Sequence, residues 1–140
     1  MKDRRGIAAL EFALIAPVLL LMMFGMATFG IAMNNYLTLT DAVRAGARTL
    51  STSRASTTPF SSTTNAIYLA APTLTSASIT ITLTVNGSPC TGDAACATTL
   101  SASAGSASSV SASYPCNLAV MGFNFAPTCT LTSTTTERVE

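Results

Sequence analysis

The chain has 140 residues, a formal net charge of +1, no histidine and only 9% charged residues against 49% hydrophobic. A balance this close to neutral offers no electrostatic surface for nucleic acid, and the length leaves room for one modest core once a membrane segment is set aside. Without histidine, and with so few Asp and Glu, neither a catalytic triad nor a paired-carboxylate site can be built. The expectation is a non-enzymatic protein with no cofactor and no small-molecule substrate.

Met1 to Gly6 carries Lys2, Arg4 and Arg5 against Asp3. Glu11 then stands alone before 22 residues, Phe12 to Met33, that hold no charge. As a helix at ~1.5 Å per residue this run is roughly 33 Å long, enough to cross a bilayer core. Basic residues beside an apolar helix stay cytoplasmic, which predicts a single pass over residues 7–33 with the N-terminus inside. A secretory signal starts the same way, and Gly25-Met26-Ala27 offers a small-x-small cleavage site. A signal's apolar region is only ~7–15 residues long, however, and this run flows on into a further helical pattern. Pro17 removes one backbone hydrogen bond within the run, while Gly25 and Gly30, with Ala9, Ala13 and Ala16, give small faces for close helix packing.

From Asn34 the helix is expected to continue outside the membrane over residues 34–55. Tyr36, Leu39, Val43, Ala47 and Leu50 recur at intervals of three and four, a single apolar stripe. Asp41 and Arg44 are placed to pair, and Ala42, Ala45, Gly46 and Ala47 keep the helix slim. Written as one rod, Ile7 to Leu50 would be roughly 66 Å long.

Residues 56–140 read as a Ser/Thr-rich domain in which Asp93 is the only charge between Ala55 and Thr136. Ser61 to Thr64 offer N-cap residues for a short helix over Asn65–Ala71. Ser78 to Val85 alternates apolar and hydroxyl side chains and ends in Asn86-Gly87, a strand followed by turn chemistry. Ile79, Ile81, Leu83 and Val85 share one face, and the stripe of the first helix is its expected cover. Ser88 to Gly105 reads as a loop, Ala107 to Cys116 as a second strand, Asn117 to Phe125 as bulk for the core, and Thr128 to Val139 as a final strand. The predicted fold class is α+β: a long N-terminal transmembrane helix extending into a small antiparallel β-sheet domain.

Cys90, Cys96, Cys116 and Cys129 all fall in this neutral part. An even count beyond a membrane anchor predicts two disulfides in an oxidising compartment. Of three possible pairings, Cys90–Cys96 and Cys116–Cys129 demand least rearrangement of the chain. Zinc would need closer thiolate spacing, usually with histidine. Asp93 is too isolated for calcium.

Basic residues, then Gly6, four small or apolar residues and Glu11-Phe12, together resemble the processing motif of type IV prepilins and pseudopilins. The longer run from Arg5 through Pro17, with Phe24-Gly25 and then Ala42-Val43-Arg44-Ala45-Gly46-Ala47-Arg48, resembles TadE-like proteins of the tight-adherence (Flp) pilus machinery. This likeness covers about residues 4–50. It implies a pilin-like fold, a leader of residues 1–6 cut between Gly6 and Ile7 by a prepilin peptidase, and insertion in the bacterial inner membrane before transfer to a pilus. The implied partners are that peptidase, other pilin subunits and the assembly machinery. Ile7 replaces the aromatic or methionine usual at that position in major pilins.

The resemblance gives Glu11 an assembly role beside Phe12, pairing its carboxylate with the new amine on Ile7 of the same or a neighbouring subunit. A bare carboxylate just inside an apolar region costs several kcal/mol unless paired or protonated. The alternative is that Glu11 lies at headgroup level and reaches water. The expected function is that of a minor pilin or pseudopilin. Its competitors are an unprocessed single-pass component with an extracytoplasmic binding module, and a secreted domain released near Ala27.

Overall fold

The computed structural model describes the backbone of residues 4–120 and 122–140 and the side chains from Ala8 onward. Helix α1 runs from Arg4 to Ser51 with Pro17 inside it. Two compact units form: one from residues up to Met33 with Asn117–Cys129, the other from Asn34–Cys116 with Thr130–Glu140. The architecture is α+β, a long apolar helix followed by a small antiparallel sheet.

The second unit is built on the stripe of α1. Leu39, Val43, Ala47 and Leu50 are all fully buried, and Ala42 joins them, whereas Tyr36 at the head of the stripe stays 38% exposed. Strand β1 (Thr80–Val85) turns through Asn86 and Gly87 into β2 (Ser88–Cys90). Both turn residues have positive φ, 51° and 78°, as a two-residue hairpin turn requires. β1 also pairs with β3 (Ala107–Pro115), and β3 with β6 (Thr130–Arg138), giving the antiparallel order β2-β1-β3-β6. Leu83, Val85, Val110 and Ala112 from the sheet share one buried cluster with the α1 stripe. The helix is thus the cover that the strand pattern calls for.

α1 ends where hydroxyls begin to compete for its carbonyls. Ser51 Oγ and Thr52 Oγ1 each donate to Arg48 O at 3.0 Å, and Ser53 Oγ donates to Thr49 O. The Glu140 N–H then donates to Ser51 O at 3.0 Å, satisfying one of the carbonyls a helix end leaves open.

Three stretches depart from expectation. α2 spans Pro59–Ala70, so Ser61 to Thr64 are helical residues rather than caps. Pro59 starts the helix, because its missing N–H is one that the first turn would leave unpaired anyway. Ser88 to Gly105 is no loop: after β2 the chain forms α3 (Asp93–Ala102), turning Cys96 and Leu100, one helical turn apart, into the core. Asn117 to Phe125 is not core bulk. It forms β4 (Ala119–Val120) and β5 (Phe123–Asn124), a hairpin on which Phe123 and Phe125 are 75% and 71% exposed.

α2 and α3 pack together, and Asp93 joins them. Thr58 at the N-cap of α2 makes no side-chain capping bond. Asp93 supplies the missing acceptor: Ser61 donates its backbone N–H to Oδ1 at 2.8 Å and its hydroxyl to Oδ2 at 2.6 Å. The carboxylate therefore sits at the positive end of α2. The Ser61 hydroxyl first, then the Ser61 N–H, hold Asp93 below its ordinary value of 3.8; partial desolvation opposes them and the Phe60 N–H adds to them. Cys90 and Cys96 form a disulfide with Cα atoms 5.0 Å apart, tying β2 to α3. Cys116 and Cys129 are disulfide-bonded as well.

α1 and α2 meet at Gly46, which is buried. A Cβ there would lie 2.5 Å from Cγ1 and 2.8 Å from Cδ1 of Ile67, itself fully buried. Gly46→Ala should therefore lose stability: overpacking costs about 1–3 kcal/mol, more than the ~1 kcal/mol by which alanine favours a helix over glycine. Thermal unfolding of the full chain in detergent reads the net loss, and a smaller loss in an Ile67→Ala background confirms that the two positions are coupled. Asp93→Ala should lower the melting temperature, and Asp93→Asn, which keeps one acceptor, should lower it less. Because the folded-state value is depressed, the contribution is complete well above 3.8 and is lost as pH falls through the lowered value. An unfolding series from neutral pH into acid should show this acid loss in the parent chain and not in Asp93→Ala.

Candidate functional site

The residues that the sequence singles out gather at the start of α1. Gly6 and Ile7 belong to its helical backbone; Lys2 and Asp3 lie outside the described residues. A helical path over Arg4 to Phe12 places position 11 one turn beyond position 7, on the same face. Glu11 and Phe12 are both exposed, and no ion pair involves Glu11 among the described contacts.

The helix beyond them is apolar on every side. Leu10, Phe12, Leu14, Val18, Met22, Met26 and Phe29 all stay more than half exposed. The most apolar 18-residue window of this helix has a mean hydropathy of 2.3, with 0% of it buried. A core helix of a soluble protein hides such side chains; one that leaves them open on all faces has the length and composition of a membrane span. The one hydroxyl between Phe12 and Met33, on Thr28, donates to Phe24 O at 2.5 Å, so it needs no partner from water.

The change of character along α1 is sharp. From Leu39 onward one face is buried, while Asp41 and Arg44 pair across 3.3 Å on the exposed face as their spacing suggests. Gly46 and Ala47 turn toward the core, and Arg48 stays exposed near the helix end.

One element of this region is not anticipated by the sequence reading. In the first unit the β4–β5 hairpin lies against the apolar helix, and the two enclose an open crevice of about 310 Å³ lined by Leu21, Gly25, Thr28, Phe29, Leu118, Val120 and Phe125. The available signal was the absence of any charge from Asn117 to Cys129, together with apolar residues at 118, 120, 123 and 125 around Gly122. Among the described residues no three His, Cys, Asp or Glu side chains come together as a metal site would need.

Residues 6–48 match the family model for TadE-like protein, less than a third of the chain. No curated protein and no solved structure matches the chain. The matched range opens at Gly6, takes in Glu11, Phe12 and the exposed apolar stretch, and closes on Gly46-Ala47-Arg48 where the helix is packed. Over that segment, the uncovered apolar stretch of α1 and its buried continuation, the chain is similar to the TadE-like family.

Proposed function

We propose that the chain is a minor pilin or pseudopilin of a bacterial tight-adherence pilus, with a structural role in initiating or tipping the filament. The observation that carries this reading is the coincidence of the TadE-like segment, residues 6–48, with a helix that is apolar and uncovered over its first part. That family supports a component associated with the pilus and with a membrane. The finer role proceeds as follows. The chain enters the inner membrane through α1 with Lys2, Arg4 and Arg5 on the cytoplasmic side. A prepilin peptidase cuts between Gly6 and Ile7. The amine created on Ile7 lies one turn from Glu11, and the two charges neutralise each other, either within the subunit or across to the neighbour being added.

Neutralisation is what the bilayer demands. An unpaired carboxylate in apolar surroundings costs several kcal/mol, and pairing recovers much of it. Subunits held in a register that pairs Glu11 are therefore favoured over those slipped by a turn. Exposed Phe12 and the small residues Ala9, Ala13 and Ala16 then provide the faces along which neighbouring helices pack. The Ser/Thr-rich domain is carried outward for contact with a partner or surface.

Mass spectrometry of the mature N-terminus tests the scheme. An N-terminal Ile7 is the expected result; an intact Met1 in cells with active prepilin peptidase overturns it and leaves an unprocessed anchor with a binding module. An N-terminal Thr28 would mean a secreted domain. Gly6→Ala should block or slow cleavage. Glu11→Ala should be cleaved normally yet enter filaments about tenfold less, as expected for losing about 1.4 kcal/mol of pairing; normal incorporation removes the pairing step from the mechanism.

A further inference from the structure

We infer that the β4–β5 hairpin is a second membrane-contacting element, which sets Phe123 and Phe125 into the outer interface of the same bilayer that α1 crosses. The inference rests on α1 being a membrane anchor. Its first support is position along the helix. About 20 residues span the hydrocarbon core, so a span opening at Phe12 reaches to about Ile31. The helix residues beside the hairpin, Leu21 to Phe29, fall in the outer half of that range. At ~1.5 Å per residue they lie about 6–18 Å along the axis from Met33. A bilayer that holds this part of α1 therefore also meets whatever lies against it.

The second support is chemistry. Asn117 to Cys129 contains no charged residue. Among the described residues, every large apolar side chain left exposed, apart from Tyr36, Leu37, Tyr68 and Leu69, belongs to the apolar stretch of α1 or to this hairpin. Phe123 lies in β5 and Phe125 just beyond its end, and both rings are largely exposed. A pair of phenyl rings open to water is costly, roughly 2 kcal/mol for each ring not buried; the same pair at a lipid boundary is favourable.

The third support is the backbone. Lipid-exposed chain must satisfy its own polar groups, and the hairpin meets most of this demand internally. Ala119 pairs with Asn124 and Val120 with Phe123; the Phe125 N–H donates to Leu118 O at 3.2 Å. The Asn124 side chain accepts the Ala126 N–H at 3.1 Å, the Cys129 N–H donates to Ala126 O at 3.1 Å, and Pro127 has no N–H to satisfy. Gly122, with φ of 87°, takes the left-handed geometry of the turn. Strands of only two residues still leave outward carbonyls, which favours the headgroup side of the outer leaflet, within reach of water, over the hydrocarbon centre.

The chain has no tryptophan, so a single substitution gives an unambiguous reporter. Full-length Phe123→Trp, reconstituted in phosphatidylcholine vesicles, should emit to the blue of aqueous tryptophan. Lipid brominated near the glycerol end of its acyl chains should quench it more strongly than lipid brominated near the chain ends. Met22→Trp, on α1 itself, should show the opposite preference. If Met22→Trp is quenched while Phe123→Trp is untouched by brominated lipid and open to iodide, the hairpin lies in water and the inference is wrong. If Phe123→Trp escapes both quenchers, protein covers the hairpin, and the inference is wrong for that reason. If neither reporter is quenched by lipid, the anchor reading itself has failed and this one falls with it.

Discussion

Burial of one stripe on α1 is the interaction on which the sheet domain depends. Leu39, Val43, Ala47 and Leu50 give one wall of the core, and Leu83, Val85, Val110 and Ala112 give the other. Each large side chain buried there contributes about 2 kcal/mol, and the sheet has no other helix of comparable length to cover it. α2 and α3 complete the cluster through Ile67, Cys96 and Leu100. They are held in place by short-range devices: the Cys90–Cys96 disulfide, the Asp93 carboxylate on Ser61, and the close approach that Gly46 permits.

The same helix serves two environments, and its residue pattern changes where the environment does. Up to Met33 it is apolar all round, with its hydroxyl turned back onto its own carbonyl. Beyond Asn34 it is amphipathic, with paired charges outward and aliphatic side chains inward. The TadE-like match crosses this change without a break. The matched segment thus takes in both the uncovered apolar stretch and the first packed turns of the sheet domain.

Long, strongly patterned stretches were legible from residues alone. The charge-free run from Phe12, the stripe at 39, 43, 47 and 50, the alternation from Ile79 to Val85 and the Asn86-Gly87 turn each express a periodicity or a dihedral requirement in local sequence. What escaped was set by partners distant along the chain. The start of α2 depends on a carboxylate 32 positions away, which no local cap signal reveals. α3 is a short run of Ala, Thr and Ser in which only Cys96 and Leu100 mark an inner face, too few to separate a helix from a loop. Phe123 and Phe125 look like core residues because bulk and apolarity in local sequence are the same whether a side chain ends up buried or exposed. For the N-terminal residues the limit was chemical: a helix places Glu11 one turn from Ile7 in any sequence, and whether that proximity matters depends on a bond being cut.

A surface built from hydroxyls in place of charges has a collective consequence. Between Ala55 and Thr136 the domain carries a single ionised group, Asp93, and that one is engaged with Ser61. The outward side of the sheet bonds to itself instead, as where Thr134 donates to Ser111 across β6 and β3 at 2.9 Å. Like-charge repulsion, which normally keeps identical domains apart over a screening length of ~8–10 Å, has almost nothing to act on across this stretch, the domain's other charges lying on α1, at Arg54 and at the C-terminal end. Surfaces built from this stretch can approach one another with little Coulomb penalty, and ionic strength has little hold over that approach.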